Sequence, residues 1–170
     1  MKNILFVIST LFFIAGCSPS NDDLFNEAKE AESQKNFPVA LERYAKIVEN
    51  DSQSALAESS QYRIALIYNN ELRDIPKAAE AYRKFNSLFP NSHDAPTCLF
   101  LAGFLYNNDM KRHDMAKEIY QEFMQKYPNH ELVASAKFEL ETMGKDPVEL
   151  LQKDTTTHIA GQPGNEGKKQ

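Results

Sequence analysis

One spacing constrains this chain more than anything else in it. Ala40, Tyr44 and Ile47 return 38 residues later as Ala78, Tyr82 and Phe85, and again as Ala116, Tyr120 and Phe123. Tyr68-Asn69-Asn70 returns as Tyr106-Asn107-Asn108, and Pro90-Asn91 as Pro128-Asn129, on the same step. A repeat of this length is a supersecondary unit that cannot bury its apolar face alone, so the copies must stack. A stack of this kind is a solenoid, whose long curved surface suits the binding of another macromolecule better than the enclosure of a substrate.

Within each unit, apolar residues recur at three and four, the spacing of a helix face. The pattern predicts helices over 22–33, 38–50, 54–70, 76–89, 95–108, 114–127 and 131–143. Pro38 and Pro76 fall in first turns, where a missing N–H loses no partner. Asp74 is placed to cap the fourth helix and Asp94 the fifth, with Pro96 in its first turn. Gly144 stands where a helix end favours a left-handed residue, and Asp146-Pro147 opens one further short turn to Gln152. In the seventh helix Lys137 replaces Leu99 and Glu141 replaces Gly103, which marks it as a polar end cap. The fold class is all-α: a solenoid of about three helix-turn-helix repeats and a capping helix over 22–152. The stretch 153–170, poor in apolar residues and rich in glycine, reads as a disordered tail.

The repeats resemble the tetratricopeptide family. That family places a large residue, Gly or Ala, and Tyr on the first helix of a unit, then Ala, an aromatic residue and Pro on the second. Ile64, Ala65, Tyr68, Ala78, Tyr82 and Pro90 match in the second unit, and Ala102, Gly103, Tyr106, Ala116, Tyr120 and Pro128 in the third. The first unit keeps Ala28, Ala31, Ala40 and Tyr44 but has Ser52 in place of proline. The usual period of the family is shorter, and the turn within units two and three is expected to hold one residue more. The small residues permit close approach of the paired helices, and Tyr44, Tyr82 and Tyr120 fill the space between units.

The first residues address the chain. Met1-Lys2 is followed by an apolar run from Ile4 to Ile14, the layout of a secretory signal and too short to span a bilayer. Ile14-Ala15-Gly16-Cys17 resembles the lipobox of bacterial lipoproteins. The resemblance implies removal of 1–16, a covalent diacylglycerol and acyl lipid on Cys17, and a short tether over 17–21. Each buried acyl CH₂ adds about 0.8 kcal/mol of membrane affinity, so two or three chains anchor a protein durably. Ser18 after the lipid site, with no acidic residue there, implies an outer-membrane lipoprotein facing the periplasm.

Chemistry is sparse. His93, His113, His130 and His158 have no partner at metal-ligand spacing. Glu27 with Glu30, and Glu139 with Glu141, sit among lysines on amphipathic helices, as a solvated face does. Only Gly103 and Gly144 fall within the folded part, so no glycine-rich loop is available for phosphate. A net charge of −5 offers no footprint for nucleic acid. With Cys17 acylated, Cys98 has no disulfide partner and reads as a buried, inert thiol. No catalysis, metal, dissociable cofactor or small-molecule substrate is expected.

In tetratricopeptide geometry the first helices line a concave face. The positions that look into it here are Phe25, Tyr62, Leu66, Phe100 and Phe104, with Asn69, Asn70, Asn107 and Asn108 at the helix ends. Rings edged by amides suit a helix or extended peptide that offers apolar anchors and backbone groups. The same rings could instead pack on a neighbouring helix or on the tail, and the sequence leaves both open. The clamp for a C-terminal carboxylate found in the family needs a set of cations that this chain lacks.

From Phe37 to Leu140 the chain is similar to the family of the outer-membrane assembly lipoprotein BamD, on Ala78-x-x-x-Tyr82-x-x-Phe85-x-x-x-x-Pro90-x-Ser92 followed by Ala95. The periplasmic YbgF/CpoB family of the Tol-Pal system shares these residues. The lipid anchor favours the first family, although it has more repeats than this chain. The second carries a coiled coil and no lipid, and no heptad run is present here. The resemblance implies a lipid-anchored, non-enzymatic scaffold for another envelope protein or peptide segment, in outer-membrane protein assembly. The alternatives are a self-associating structural lipoprotein and Tol-Pal-type coordination.

Overall fold

Helix α1 (Asn21–Ser33) opens on Asp22 and Asp23, whose negative charges meet the positive end of the helix dipole. Ser20 closes a capping box: its hydroxyl accepts from the Asp23 N–H at 3.2 Å, and its own N–H donates to the Asp23 carboxylate at 3.1 Å. The end of α1 is a Schellman turn, in which the Asn36 N–H donates to the Ala31 carbonyl at 2.8 Å and the Lys35 N–H to Glu32 at 2.9 Å. Lys35 takes the left-handed conformation there, with φ at 57°.

In this computed structural model, which describes residues 19–145, six more helices follow. They are α2 (Phe37–Asn50), α3 (Ala55–Leu66), α4 (Ile75–Leu88), α5 (Ala95–Phe104), α6 (His113–Lys126) and α7 (Val133–Thr142). Each packs on the next, and α1 also reaches α3, so odd-numbered first helices and even-numbered second helices form two layers of an all-α solenoid. The lipidation site Cys17, the segment 1–16, the short turn to Gln152 and the tail 153–170 lie outside the described residues.

The repeated residues build the core. Ala40, Ala78 and Ala116 are fully buried, and beside them lie Tyr44, Tyr82, Tyr120, Ile47, Phe85 and Phe123. Each of the larger side chains contributes about 1.5–3 kcal/mol over its exposed state. The close approach is tightest at Gly103, where an added Cβ would fall 2.9 Å from Cε1 of the Tyr120 ring. Cys98 is buried as expected, and burial pushes its thiol up to about 12.

Two local expectations change. Helices α3 and α5 do not end as plain α-helices but widen into π turns, Ile67–Glu71 and Leu105–Asp109. The Leu72 N–H reaches back to the Ile67 carbonyl and the Met110 N–H to Leu105, both at 3.0 Å. A π turn is how a helix absorbs one inserted residue. The extra residue of units two and three is thus carried in the first helix rather than in the turn.

The second change is at Asp94, which does not cap α5 through its side chain. Its own backbone is near-helical, with φ −86° and ψ −9°. A capping residue needs an extended backbone to aim its carboxylate at the free N–H groups. The Ala95 N–H goes instead to the Ser92 carbonyl at 3.2 Å. Asp74 does cap α4, accepting from the Lys77 N–H at 3.3 Å.

Candidate partner-binding surface

The concave layer is built from α1, α3 and α5. Its aromatic positions share one arrangement, because each ring leans on a ring of the second helix of its own unit. Phe25 meets Tyr44 edge-on at 5.7 Å, Tyr62 meets Phe85 at 5.6 Å, and Phe100 meets Phe123 at 5.9 Å and Tyr120 at 5.5 Å. All three rings remain half-exposed on the other side. Leu66, one turn after Tyr62 on α3, is also half-buried. One side of each ring therefore holds the unit together while the other is available.

Two open grooves follow. Phe25 and Tyr62 come together in the first, with Glu58, Arg63, Phe85 and Asp94, around a volume of about 260 Å³. Asn69 and Phe104 come together in the second, of about 260 Å³, floored by Ile75, Tyr82, Leu101 and Leu105 and rimmed by Arg73 and Asp109. Phe104 is 37% exposed, one of few large apolar side chains so open among the described residues. Phe100 lines neither groove and faces the second-helix rings.

The two asparagine pairs have different surroundings. Asn107 and Asn108 both donate to one Glu139 oxygen, at 2.8 and 3.1 Å, which ties the end of α5 to α7. The Asn107 oxygen lies 2.8 Å from His113 Nδ1, so that nitrogen carries the proton. Asn69 and Asn70, one repeat earlier, bond only to each other, with the Asn69 amide donating to Asn70 Oδ1 at 2.8 Å. Asn69 lines the second groove, and Asn70 is exposed.

Polar contacts that the repeat pattern does not announce tie helices together within and between units. Glu32 accepts from Tyr44 Oη at 3.0 Å and from Arg63 Nε at 3.1 Å, linking α1, α2 and α3. Burial works against the Arg63 charge, but the Glu32 carboxylate holds its pKa above the ordinary value. Gln61, fully buried, donates to the Ala81 carbonyl at 3.0 Å. Asn86 donates to the Ala95 carbonyl at 2.9 Å and to Tyr127 Oη at 2.6 Å. The signal for Gln61 was present in the sequence, since Leu99 holds its place one unit later.

A cavity of about 520 Å³ lies on the opposite layer between α4 and α6, lined by Arg83, Lys84, Asn86, Glu122 and Lys126 among others. Lys126 is paired with Glu122 at 2.6 Å and with Asn86 at 3.2 Å, so this surface is internally neutralised in part. Among the described residues no three His, Cys, Asp or Glu side chains are placed to hold a metal ion. No helix of the described residues is long and apolar enough to cross a membrane.

The tetratricopeptide repeat fits residues 59–92 and 97–130, the second and third units, on the same 38-residue step. The first unit, with Ser52 where the others have proline, lies outside the matched segments. No curated protein matches the chain. The chain carries tetratricopeptide repeats, and its fold is an all-α tetratricopeptide-like solenoid.

Proposed function

We propose that the protein is a non-enzymatic, lipid-anchored scaffold that holds an envelope protein, or a peptide segment of one, on the concave face of its repeats, in the service of outer-membrane protein assembly. Tetratricopeptide repeats typically bind proteins or peptides, and the observation that carries the reading is the pair of open grooves. They present exposed or half-exposed rings from first helices, with Asn69 in the lining of the second, a surface that can anchor apolar side chains and offer polar contacts to a bound backbone. The anchor belongs to Cys17, after Ile14-Ala15-Gly16, which supports an outer-membrane lipoprotein facing the periplasm.

The test is crosslinking of the full-length lipoprotein in its own envelope, beside a Tyr62→Ala/Phe104→Ala variant and a Cys17→Ser variant. The wild type should capture a β-barrel assembly protein, and the double variant should lose most of that capture while keeping its helicity. Recovery of copies of the chain alone would overturn the adaptor reading in favour of self-association. Full membrane retention of Cys17→Ser would overturn the anchor.

A further inference from the structure

The first groove has a polarity that its rings do not explain. Glu58, in the first turn of α3, and Asp94, just before α5, stand on its rim beside Phe25, Tyr62 and Phe85, and both are half-buried. Neither carboxylate belongs to the repeat. One step of 38 residues turns Glu58 into Ser20 or Pro96, and Asp94 into Leu56 or Leu132, so the other junctions are built without them.

Among the described residues no cation pairs with either carboxylate. Glu58 accepts from the Ser92 hydroxyl at 2.6 Å, and the Asp94 side chain caps no helix. Arg63 also lines the groove, but its charge is held by Glu32, through Nε at 3.1 Å and a second guanidinium nitrogen. The starts of α3 and α5 carry about half a positive charge each, less than the two carboxylates. In the second groove, by contrast, Arg73 and Asp109 offset one another on the rim.

A carboxylate half out of water has already lost part of its hydration, so pairing it costs less than pairing a fully solvated one. The charge of Asp94 also reaches the neighbouring ring: burial raises the Tyr62 phenol first, and Cys98 and the Asp94 carboxylate add to it. At the other end of the groove Lys29 already lies over the Phe25 ring at 5.9 Å, so a second cation is turned away from Phe25 and towards Tyr62. A ring face attracts a cation and a carboxylate pairs with it. A guanidinium, planar and weakly hydrated, can use both at once.

We propose, resting on the concave face as the partner surface, that the first groove selects a partner segment carrying a basic side chain, best an arginine, close to an apolar one. The basic side chain lies along Tyr62 between Glu58 and Asp94, and the apolar one rests on Phe25. An acidic segment is repelled there.

Acetylated and amidated peptides, read by fluorescence anisotropy against the full-length protein in non-ionic detergent micelles, test this. Each carries one phenylalanine and, one to four residues away, an arginine, a glutamine or a glutamate in an alanine-serine background. At the best spacing the arginine peptide should bind about tenfold more tightly than the glutamine peptide, and the glutamate peptide more weakly than either. Glu58→Gln/Asp94→Asn should bring the arginine peptide within about twofold of the glutamine peptide, whose own affinity should not move. Glutamine at position 58 can still accept from Ser92, so this variant keeps that bond. Asp94→Asn alone should remove about threefold of the preference, which keeps the test decisive if the double variant unfolds. Equal binding of the arginine and glutamine peptides, or an arginine preference that survives both variants, would overturn the proposal and leave the adaptor reading standing. Binding of none of the peptides would overturn it too, whereas the adaptor reading falls only if crosslinking in the envelope recovers copies of the chain alone.

Discussion

Gly103→Ala sets two effects of known sign against each other. Alanine in place of glycine inside a helix gains about 1 kcal/mol from propensity alone. At Gly103 the new Cβ would lie 2.9 and 3.0 Å from ring carbons of Tyr120 and 3.3 Å from Ile119 Cγ2. Neither neighbour is a free end. Tyr120 is fully buried and its ring rests on Phe100 at 5.5 Å, while Ile119 is 2% exposed. Overpacking of a closed core costs about 1–3 kcal/mol, so the net effect is a loss of about 1 kcal/mol. For a domain of this size that lowers the melting midpoint by about 4 °C. Ala65, one unit earlier, is buried at the equivalent position, so the methyl is tolerable where the helices are set for it. Urea unfolding followed by helical dichroism reads the difference, and Tyr120→Leu in the same background should absorb part of it, giving a loss smaller than the sum. A Gly103→Ala protein more stable than wild type by about 0.5 kcal/mol or more would show that the close approach does not fix this residue.

The alkaline limit should follow the buried acids. Burial pushes Cys98, Tyr44 and Tyr82 up to about 12, and raises Tyr120 as well, so their contribution is complete below the ordinary values of 9.0 and 10.0 and is lost as pH climbs towards 12. Cys98 in the folded protein should ignore a thiol reagent at pH 8, and prompt modification without unfolding would contradict its burial. At the acid end, the Ser20 hydrogen bonds hold Asp23, and the Lys77 bonds hold Asp74, below the ordinary 3.8. Their contributions are present above 3.8 and vanish as pH falls through the lowered values; NMR titration should show Ser20→Ala raising Asp23 alone.

The helices were legible because a buried stripe at 3.6-residue spacing is a local property, and the 38-residue step fixed which stripes face each other. The π turns were not, since Tyr-Asn-Asn suits an α-helical end as well as a widened one and only the ladder of bonds distinguishes them. Asp94 carries the composition of a cap, but the preceding Ser92 turn sets its backbone against the role. The concave rings were legible as positions and illegible as environments. Whether Phe100 faces a groove or the second helix depends on Tyr120 and Phe123, some twenty residues away. The bond from Asn107 to Glu139 crosses 32 residues, and no local pattern encodes it.

The same repeat arithmetic shows why the second groove is open. Glu32, Asn70 and Asn108 occupy one repeat position on successive first helices, and Arg63, Leu101 and Glu139 occupy the position that faces them from the next unit. At the first junction the pair is an ion pair, Glu32 with Arg63, and at the last a carboxylate on an amide, Glu139 with Asn108. At the middle junction the repeat register sets Leu101 against Asn70, and leucine can offer no hydrogen bond, so the latch is missing where the groove lined by Asn69, Leu101 and Phe104 appears. Leu101→Glu should restore it, with the new carboxylate accepting from Asn69 and Asn70 as Glu139 does from Asn107 and Asn108. The loss of partly buried leucine and the gain of hydrogen bonds each amount to about 1 kcal/mol, so overall stability should change little. Coupling is the sharper readout: Asn70→Ala should cost about 1 kcal/mol more in the Leu101→Glu background than in the wild type. Capture of a partner should fall as the amides are engaged. Zero coupling between the two positions would show that the middle junction is set differently from its neighbours, and the groove would need another cause.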